Sequence, residues 1–228
     1  RFFRLILAEG IERSGIVEEI LSLAEGCAVP VQRVERVRFG GLGTANHQGI
    51  ILEASSFPYA EPNEGLARAQ QANEPPLILI LDHVQDAGNL GSLLRSAEAA
   101  GVHGVILPER RAVGVTPAVS HTSAGAAEHL SVVMVANIVQ TMETLKERGI
   151  WVAGLHPEDR AQRYDRVDLS GPLALVIGAE GRGLSRLVRE RCDFLIALPQ
   201  WGQVASLNAA VAGAIALYEA RRQRDRAG

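Results

Sequence analysis

The chain has 228 residues, of which 47% are apolar and 21% charged, with a formal net charge of −3. It is long enough for one large domain or two smaller ones, and its composition excludes a disordered or fibrous chain. The charge gives no global push toward nucleic acid. No apolar run approaches the roughly 20 residues that span a bilayer, so no membrane partner is expected.

In chain order, Arg4 to Ala8 reads as a strand. The opening run Arg1 to Leu7 is too short, and too soon followed by Glu9, for a signal peptide. It reads as a strand already under way, with natural residues expected before Arg1. An amphipathic helix follows at Ile16 to Ala24, with Val17, Ile20, Leu21 and Ala24 on one face. Val29 to Val34 and Gly49 to Ala54 read as short strands, and Gly40 to Thr44 as a flexible loop. Ser55 to Asn63 has a linker's composition, and a polar stretch, with room for a helix, runs on through Gln71. Pro75-Pro76 closes it, because neither proline continues a helix. This divides the chain into a small domain (1–56), a linker (57–74) and a larger domain (75–228).

After Pro76 strands and helices alternate. Strands are read at Leu77 to Leu81, Gly104 to Leu107, Val132 to Val135, Trp151 to Leu155, Leu173 to Ile177 and Phe194 to Ala197. Helices are read at Leu90 to Ala100, Ile138 to Arg148, Leu184 to Glu190 and Asn208 to Gln223. Strands apolar on both faces, separated by helices, imply an α/β fold with a parallel sheet covered on both sides.

Three segments interrupt this rhythm just after a strand, where ligands of open α/β sheets gather. The first is Asp82 to Arg95. Leu90, Leu93, Leu94 and Ala97 form its buried stripe, and Arg95 lies on the opposite side. Asn89 sits where an N-cap belongs, and Gly88 and Gly91 allow close approach of a ligand. A capped helix with Arg95 paired to Glu98 explains the same residues. The second is Gly178-Ala179-Glu180-Gly181-Arg182-Gly183, a loop that suits a cofactor but equally a structural turn. Its glycine order is not the dinucleotide fingerprint. The third runs from Leu198 to Asn208, where Ser206 and Asn208 suit a helix start. The last helix has an alanine- and glycine-rich surface suited to packing against a helix of a second subunit.

Basic residues cluster at Arg33, Arg36 and Arg38; at Arg110 and Arg111; at Arg182, Arg186, Arg189 and Arg191; and at Arg221, Arg222 and Arg224. Each cluster reads as a solvated face, and composition permits RNA if the arginines line one groove. Cys27 and Cys192 match no zinc or redox spacing and read as isolated buried thiols of a reducing cytoplasm. His47, His83, His103, His121, His129 and His156 are scattered without ligand spacing, so no metal is expected.

Together the three segments resemble the signature motifs of the SpoU (TrmH) family of RNA ribose methyltransferases, within the SPOUT superfamily. Asn89-Leu90-Gly91 with Arg95 is similar to the first motif, Ile177 to Gly181 with Gly183-Leu184 to the second, and Leu198-Pro199 through Gly202 with Ser206-Leu207-Asn208 to the third. The resemblance spans about Leu77 to Arg222. Gln200 departs from the usual methionine and Ala209-Ala210 from the usual valine-serine pair, which touches cofactor packing but no polar residue. Asn46-His47-Gln48-Gly49 is similar to the small RNA substrate-binding domain, of ribosomal-protein L30e-like fold, fused to rRNA-directed members.

The resemblance implies a SPOUT domain with a C-terminal trefoil knot, preceded by the small L30e-like α/β domain. It implies S-adenosylmethionine as cofactor and RNA as substrate, most specifically a guanosine of 23S rRNA, with tRNA or a catalytically inactive RNA-binding role as alternatives. It further implies a homodimer. Asn89, Arg95, Glu180, Ser206 and Asn208 become the expected catalytic set. Thr122, Gly178, Gly181, Leu198, Gly202 and Leu207 become the expected cofactor contacts.

Overall fold

The computed structural model describes residues 1–36, 39, 47–203 and 206–227. The predicted loop at Gly40 to Thr44, Arg38, Asn46, and Val204 and Ala205 of the third segment lie outside the described residues. The chain forms two compact units, Arg1–Phe57 and Pro58–Gly228.

In the first unit β1 (Phe2–Ala8) is the centre of a three-stranded sheet. It pairs in parallel with β2 (Val31–Val34) and antiparallel with β3 (Ile50–Ala54). Alternation along β1 sends residues to opposite faces, and both faces are covered over Leu5–Ala8. Leu5 packs with Ala24 and Val29 beneath α1 (Gly15–Gly26), whereas Ile6 and Ala8 pack with Phe39. Cys27 closes α1 and is exposed. The expectation of two buried thiols therefore fails for Cys27, because a helix C-cap at a turn has no layer over it.

The second unit is built on a seven-stranded, wholly parallel sheet. Its strands are β4 (Leu77–Asp82), β5 (Gly104–Pro108), β6 (Val132–Val135), β7 (Trp151–Leu155), β8 (Gln162–Arg163), β9 (Leu173–Gly178) and β10 (Phe194–Ala197). Their order is β6-β5-β4-β9-β7-β10-β8. Central β4 and β9 are buried at every position, as expected of strands covered on both faces. Ile78, Ile80, Ala174 and Val176 face one layer, with Met142 and Leu145 of α5 (Ile138–Glu147) and Val188 of α6 (Arg186–Arg191). On the opposite layer Ile177 meets α3 (Ala87–Ala99) and α7 (Ala209–Ala227), where a Cβ on Gly213 would lie 2.4 Å from Ile177 and 2.6 Å from Leu93.

Two further helices complete the unit. α2 (Glu64–Ala72) fills half of the stretch read as linker; a Cβ on its Gly65 would lie 2.9 Å from Gly104 Cα, so its backbone rests directly on β5. α4 (Pro117–Thr122) starts at Thr116, whose hydroxyl accepts from Val119 N at 3.4 Å. No helix among the described residues is long and apolar enough to cross a membrane.

Candidate active site

The carboxyl ends of β4 and β9 lie side by side, with Asp82 opposite Gly178. Asp82 is 1% exposed. One carboxylate oxygen accepts from Ser185 N at 2.6 Å and the other lies 2.5 Å from His83 Nδ1. The loop 179–184 is thereby pinned to β4 at its far end. Its near end is folded back on itself: Gly183 N donates to Ala179 O at 2.8 Å. A Cβ on Gly178 would lie 2.1 Å from Gly183 C and 2.4 Å from Leu184 N. Glycine at 178 is thus required by the loop's own backbone. Gly181 and Gly183 have φ of +75° and +64°, which glycine adopts without strain.

This loop presents Glu180 to α3. Asn89 Nδ2 donates to Glu180 Oε2 at 2.9 Å, and Asn208 Nδ2 donates to Asn89 Oδ1 at 2.7 Å. Asn208 in turn starts α7, its Oδ1 accepting from Ala210 N at 2.9 Å and Val211 N at 3.2 Å. One residue from each of the three segments thus joins a single hydrogen-bonded chain. Asn89 is not the N-cap expected of it: Asp86 is, its carboxylate accepting from Asn89 N at 2.7 Å. The cap sits three residues earlier because an aspartate is available there, which frees the Asn89 amide for Glu180.

Beside this chain is a groove of about 170 Å³. Gly178, Glu180, Gly181, Leu198, Ser206 and Leu207 of the expected set line it, along with His156 from the end of β7. Arg95, Asn89, Asn208, Thr122 and Gly202 do not line it. Arg95 is exposed two turns into α3 and makes no hydrogen bond or ion pair among the described residues. Its expected pairing with Glu98 is not formed, and Glu180 is bound to Asn89 instead of the guanidinium. Thr122 closes α4, where a Cβ on Gly91 would lie 2.6 Å from Thr122 Cβ. Gly91 therefore admits a neighbouring helix, not a ligand as expected.

Sequence reading missed two participants. Asp82 had a visible signal, a charge ending an otherwise apolar strand. His156 had none. Its Nε2 lies 3.3 Å from Arg189 Nη1, and its Nδ1 is buried without a hydrogen-bond partner among the described residues. Burial and then the Arg189 charge push this imidazole below its ordinary pKa, with Glu158 opposing. Cys192, behind β7, donates to Val188 O at 3.3 Å, and burial pushes its thiol up to about 12, so it is no nucleophile. No group of three or more potential metal ligands occurs among the described residues.

Residues 1–60 match the RNA 2′-O ribose methyltransferase substrate-binding family. YacO of Bacillus subtilis, named for the TrmH family of tRNA/rRNA methyltransferases, is 42% identical over 228 residues, covering 100% of this chain and 91% of its own. The SpoU methyltransferase AviRb from Streptomyces viridochromogenes, in complex with AdoMet, is similar with a TM-score of 0.81 and 27% identity, over 99% of this chain and 84% of that one. An AdoMet-bound rRNA methyltransferase from Sinorhizobium meliloti is similar with a TM-score of 0.78 and 26% identity, over 97% and 80% of the two chains. The model of the SpoU rRNA Methylase family matches residues 76–218, a span that holds the whole groove and all three members of the Asn208–Asn89–Glu180 chain, and the protein therefore belongs to the SpoU (TrmH) family of RNA methyltransferases.

Proposed function

We propose that the protein transfers the methyl group of S-adenosylmethionine to a ribose 2′-hydroxyl of RNA, with a guanosine of 23S rRNA as the target. The observation that carries this reading is the Asn208–Asn89–Glu180 chain, which draws all three motif segments to the mouth of one groove. The rRNA assignment is supported by the likeness to the S. meliloti rRNA methyltransferase across both units. The guanosine follows from the family resemblance.

The groove suits the cofactor. Its floor is glycine loop and strand end, which leaves backbone groups open to a ligand, and Leu155, Leu198 and Leu207 supply an apolar lining for a ring system. Gly178, Gly181, Leu198 and Leu207 would hold it. Thr122 would act indirectly, by seating α4 on Gly91, and Gly202 by turning the chain between Leu198 and Ser206. When bound, S-adenosylmethionine supplies an electrophilic methyl group on sulfonium. The groove is smaller than the several hundred Å³ of a typical closed ligand pocket, so the nucleotide approaches from outside its mouth.

Displacement at the methyl carbon must be in line, so the residues at the mouth act by alignment. Arg95 is not the base, since a guanidinium keeps its proton in proteins. Without a partner among the described residues, it is available for a bidentate grip on the phosphate next to the target ribose. The 2′-hydroxyl proton passes to that phosphate or to water as the bond forms. Asn89, fixed by Glu180 and Asn208, and the exposed Ser206 hydroxyl orient the nucleotide.

The C-terminal trefoil knot belongs to the same proposal. It is supported by β9 entering between β4 and β7 and by α7 packing back on Ile177 and Leu93. A homodimer is supported by the outward face of α7, where Val211, Ile215 and Tyr218, at i, i+4 and i+7, are 49%, 38% and 54% exposed beside exposed Leu207. An RNA substrate and two free thiols suit the cytoplasm.

The test is transfer of labelled methyl from S-adenosylmethionine to total RNA lacking ribose methylation, by wild type and Arg95→Ala. Label at one 2′-O position of 23S rRNA, lost in the variant, is the expected result. Label in tRNA would overturn the target, and label on a base would overturn the reaction.

A further inference from the structure

Most arginines of the second unit are already engaged. Arg186 pairs with Glu190, Arg191 with Glu143, Arg221 with Glu74 and Arg222 with Glu219. Arg110, Arg111 and Arg182 are not: none makes a side-chain hydrogen bond or ion pair among the described residues, and Arg110 and Arg111 do not pair with their neighbour Glu109. Arg110 and Arg111 follow β5, and Arg182 follows β9. These strands flank β4, and their carboxyl ends lie about 10 Å apart at the usual strand spacing. The β4–α3 turn that leads to Asn89 lies between them.

The loop after β5 is also fastened to that turn. Gln85 Nε2 donates to Arg111 O at 3.2 Å, and Val113 N donates to Val84 O at 3.0 Å. Glu109 N donates to Val135 O at 3.0 Å, and Val115 N to Tyr59 Oη at 3.0 Å. Arg111 is held at φ +59°, a left-handed conformation that is uncommon outside glycine. A stiff loop that keeps two arginines side by side, exposed and without carboxylate partners, presents charge to a ligand that supplies the anion. In a chain of net charge −3 this concentration is local.

We propose that Arg110 and Arg111 on one side of the β4–α3 turn, and Arg182 on the other, grip successive backbone phosphates of the RNA strand that carries the target ribose. This rests on the reading of the site as an RNA ribose methyltransferase. Contacts of this kind position the strand without reading its sequence. They hold it across the mouth of the groove, so that the Arg95 grip acts on a strand already in register.

The experiment is binding of single-stranded polyuridylate over a series of salt concentrations. Each phosphate contact removed should lower the slope of log K against log[salt] by about 0.7. Arg110→Ala/Arg111→Ala should therefore lose about 1.4 of the slope and Arg182→Ala about 0.7. The corresponding lysine variants should keep the slope, because it counts charge. Arg166→Ala, at a residue with no ion pair or side-chain hydrogen bond among the described residues but beyond edge strand β8, should leave it unchanged. Urea unfolding equal to wild type would show that each variant is folded. A wild-type slope in the double variant, an equal loss in Arg166→Ala, a loss in the lysine variants, or no polyuridylate binding by wild type would each overturn the proposal. If the slopes behave as expected but RNA receives no 2′-O-methyl group from wild type, the phosphate grip stands and the catalytic reading fails.

Discussion

Gly178→Ala tests whether the groove is shaped by a backbone-on-backbone contact. The added Cβ would lie 2.1 Å from Gly183 C and 2.2 Å from Gly183 O, against an ordinary contact of 3.4 Å or more. One side must retreat by about 1.3 Å, the difference of 3.4 and 2.1. Gly178 is held in β9 against Asp82 of β4, so the Gly183–Leu184 peptide moves. That motion breaks the Gly183 N to Ala179 O bond and drags on Ser185, the anchor to Asp82. Overpacking of this kind costs about 1–3 kcal/mol and the lost hydrogen bond about 1 more. Urea unfolding should report a loss of roughly 2–4 kcal/mol, the sum of these costs. Titration calorimetry should report S-adenosylmethionine affinity weakened at least tenfold, equivalent to about 1.4 kcal/mol. Gly181→Ala has open space around its Cβ and strains only φ, so it should cost about 1–2 kcal/mol and leave the Gly183 N to Ala179 O bond in place. If Gly178→Ala is as stable as wild type and binds the cofactor equally well, the contact does not shape the groove.

Three other perturbations follow from the same geometry. Asn208→Asp keeps an oxygen to cap α7 but loses the amide that donates to Asn89; stability should change by less than about 0.5 kcal/mol while kcat/KM for methyl transfer falls roughly five- to tenfold, the worth of one hydrogen bond. Unchanged transfer in that variant would remove the chain from the mechanism. Burial holds the imidazole of His103 below its ordinary value, with Arg224 and Arg221 adding to the effect and Glu74 opposing it. The unfolded chain then binds a proton that the folded one refuses, so stability should be full above about pH 6.5 and fall as pH drops below it. His103→Gln should reduce that decline in urea titrations between about pH 7 and 5, leaving the share of His156, whose imidazole is also held below its ordinary value; an equal decline in both proteins would refute the assignment. Ile215→Glu places a charge at the centre of the exposed α7 face; if a second copy covers it, sedimentation should show the wild type as a dimer and the variant as a monomer, because an unpaired buried charge costs several kcal/mol.

The sheet was legible because its strands carry their own signature. Leu77–Leu81 and Leu173–Ile177 are unbroken apolar runs of strand length, and both became central strands buried on two faces. What pattern could not supply was pairing. Nothing local says that β9, and not a strand nearer in sequence, lies beside β4. The motifs identified the residues that meet, but not their contacts. Arg95 looked like a partner for Glu98 and pairs with no described residue, and Gly91 looked like an opening for a ligand and instead admits Thr122. The Gly91 error has a plain cause: a glycine announces that something comes close, not what. His156 was invisible because a lone histidine has no pattern, and α4 because six residues are too few to show a period.

The long-range closure of the site also sets when it can exist. Asn89 and Glu180 are 91 residues apart, Asp82 and Ser185 103, and Asn89 and Asn208 119. The first two need β9 beside β4, and the third also needs α7 back against α3. Each bond alone is worth about 1 kcal/mol, far less than closing such loops costs, so none of them can nucleate the arrangement. The buried strands β4 and β9 must supply the free energy, with buried leucines and isoleucines at roughly 1.5–3 kcal/mol apiece. The polar chain is then assembled on a frame that is already stable. Its members are free to be chosen for the nucleotide we propose they orient, so Asn208→Asp is expected to separate activity from folding and Gly178→Ala is not.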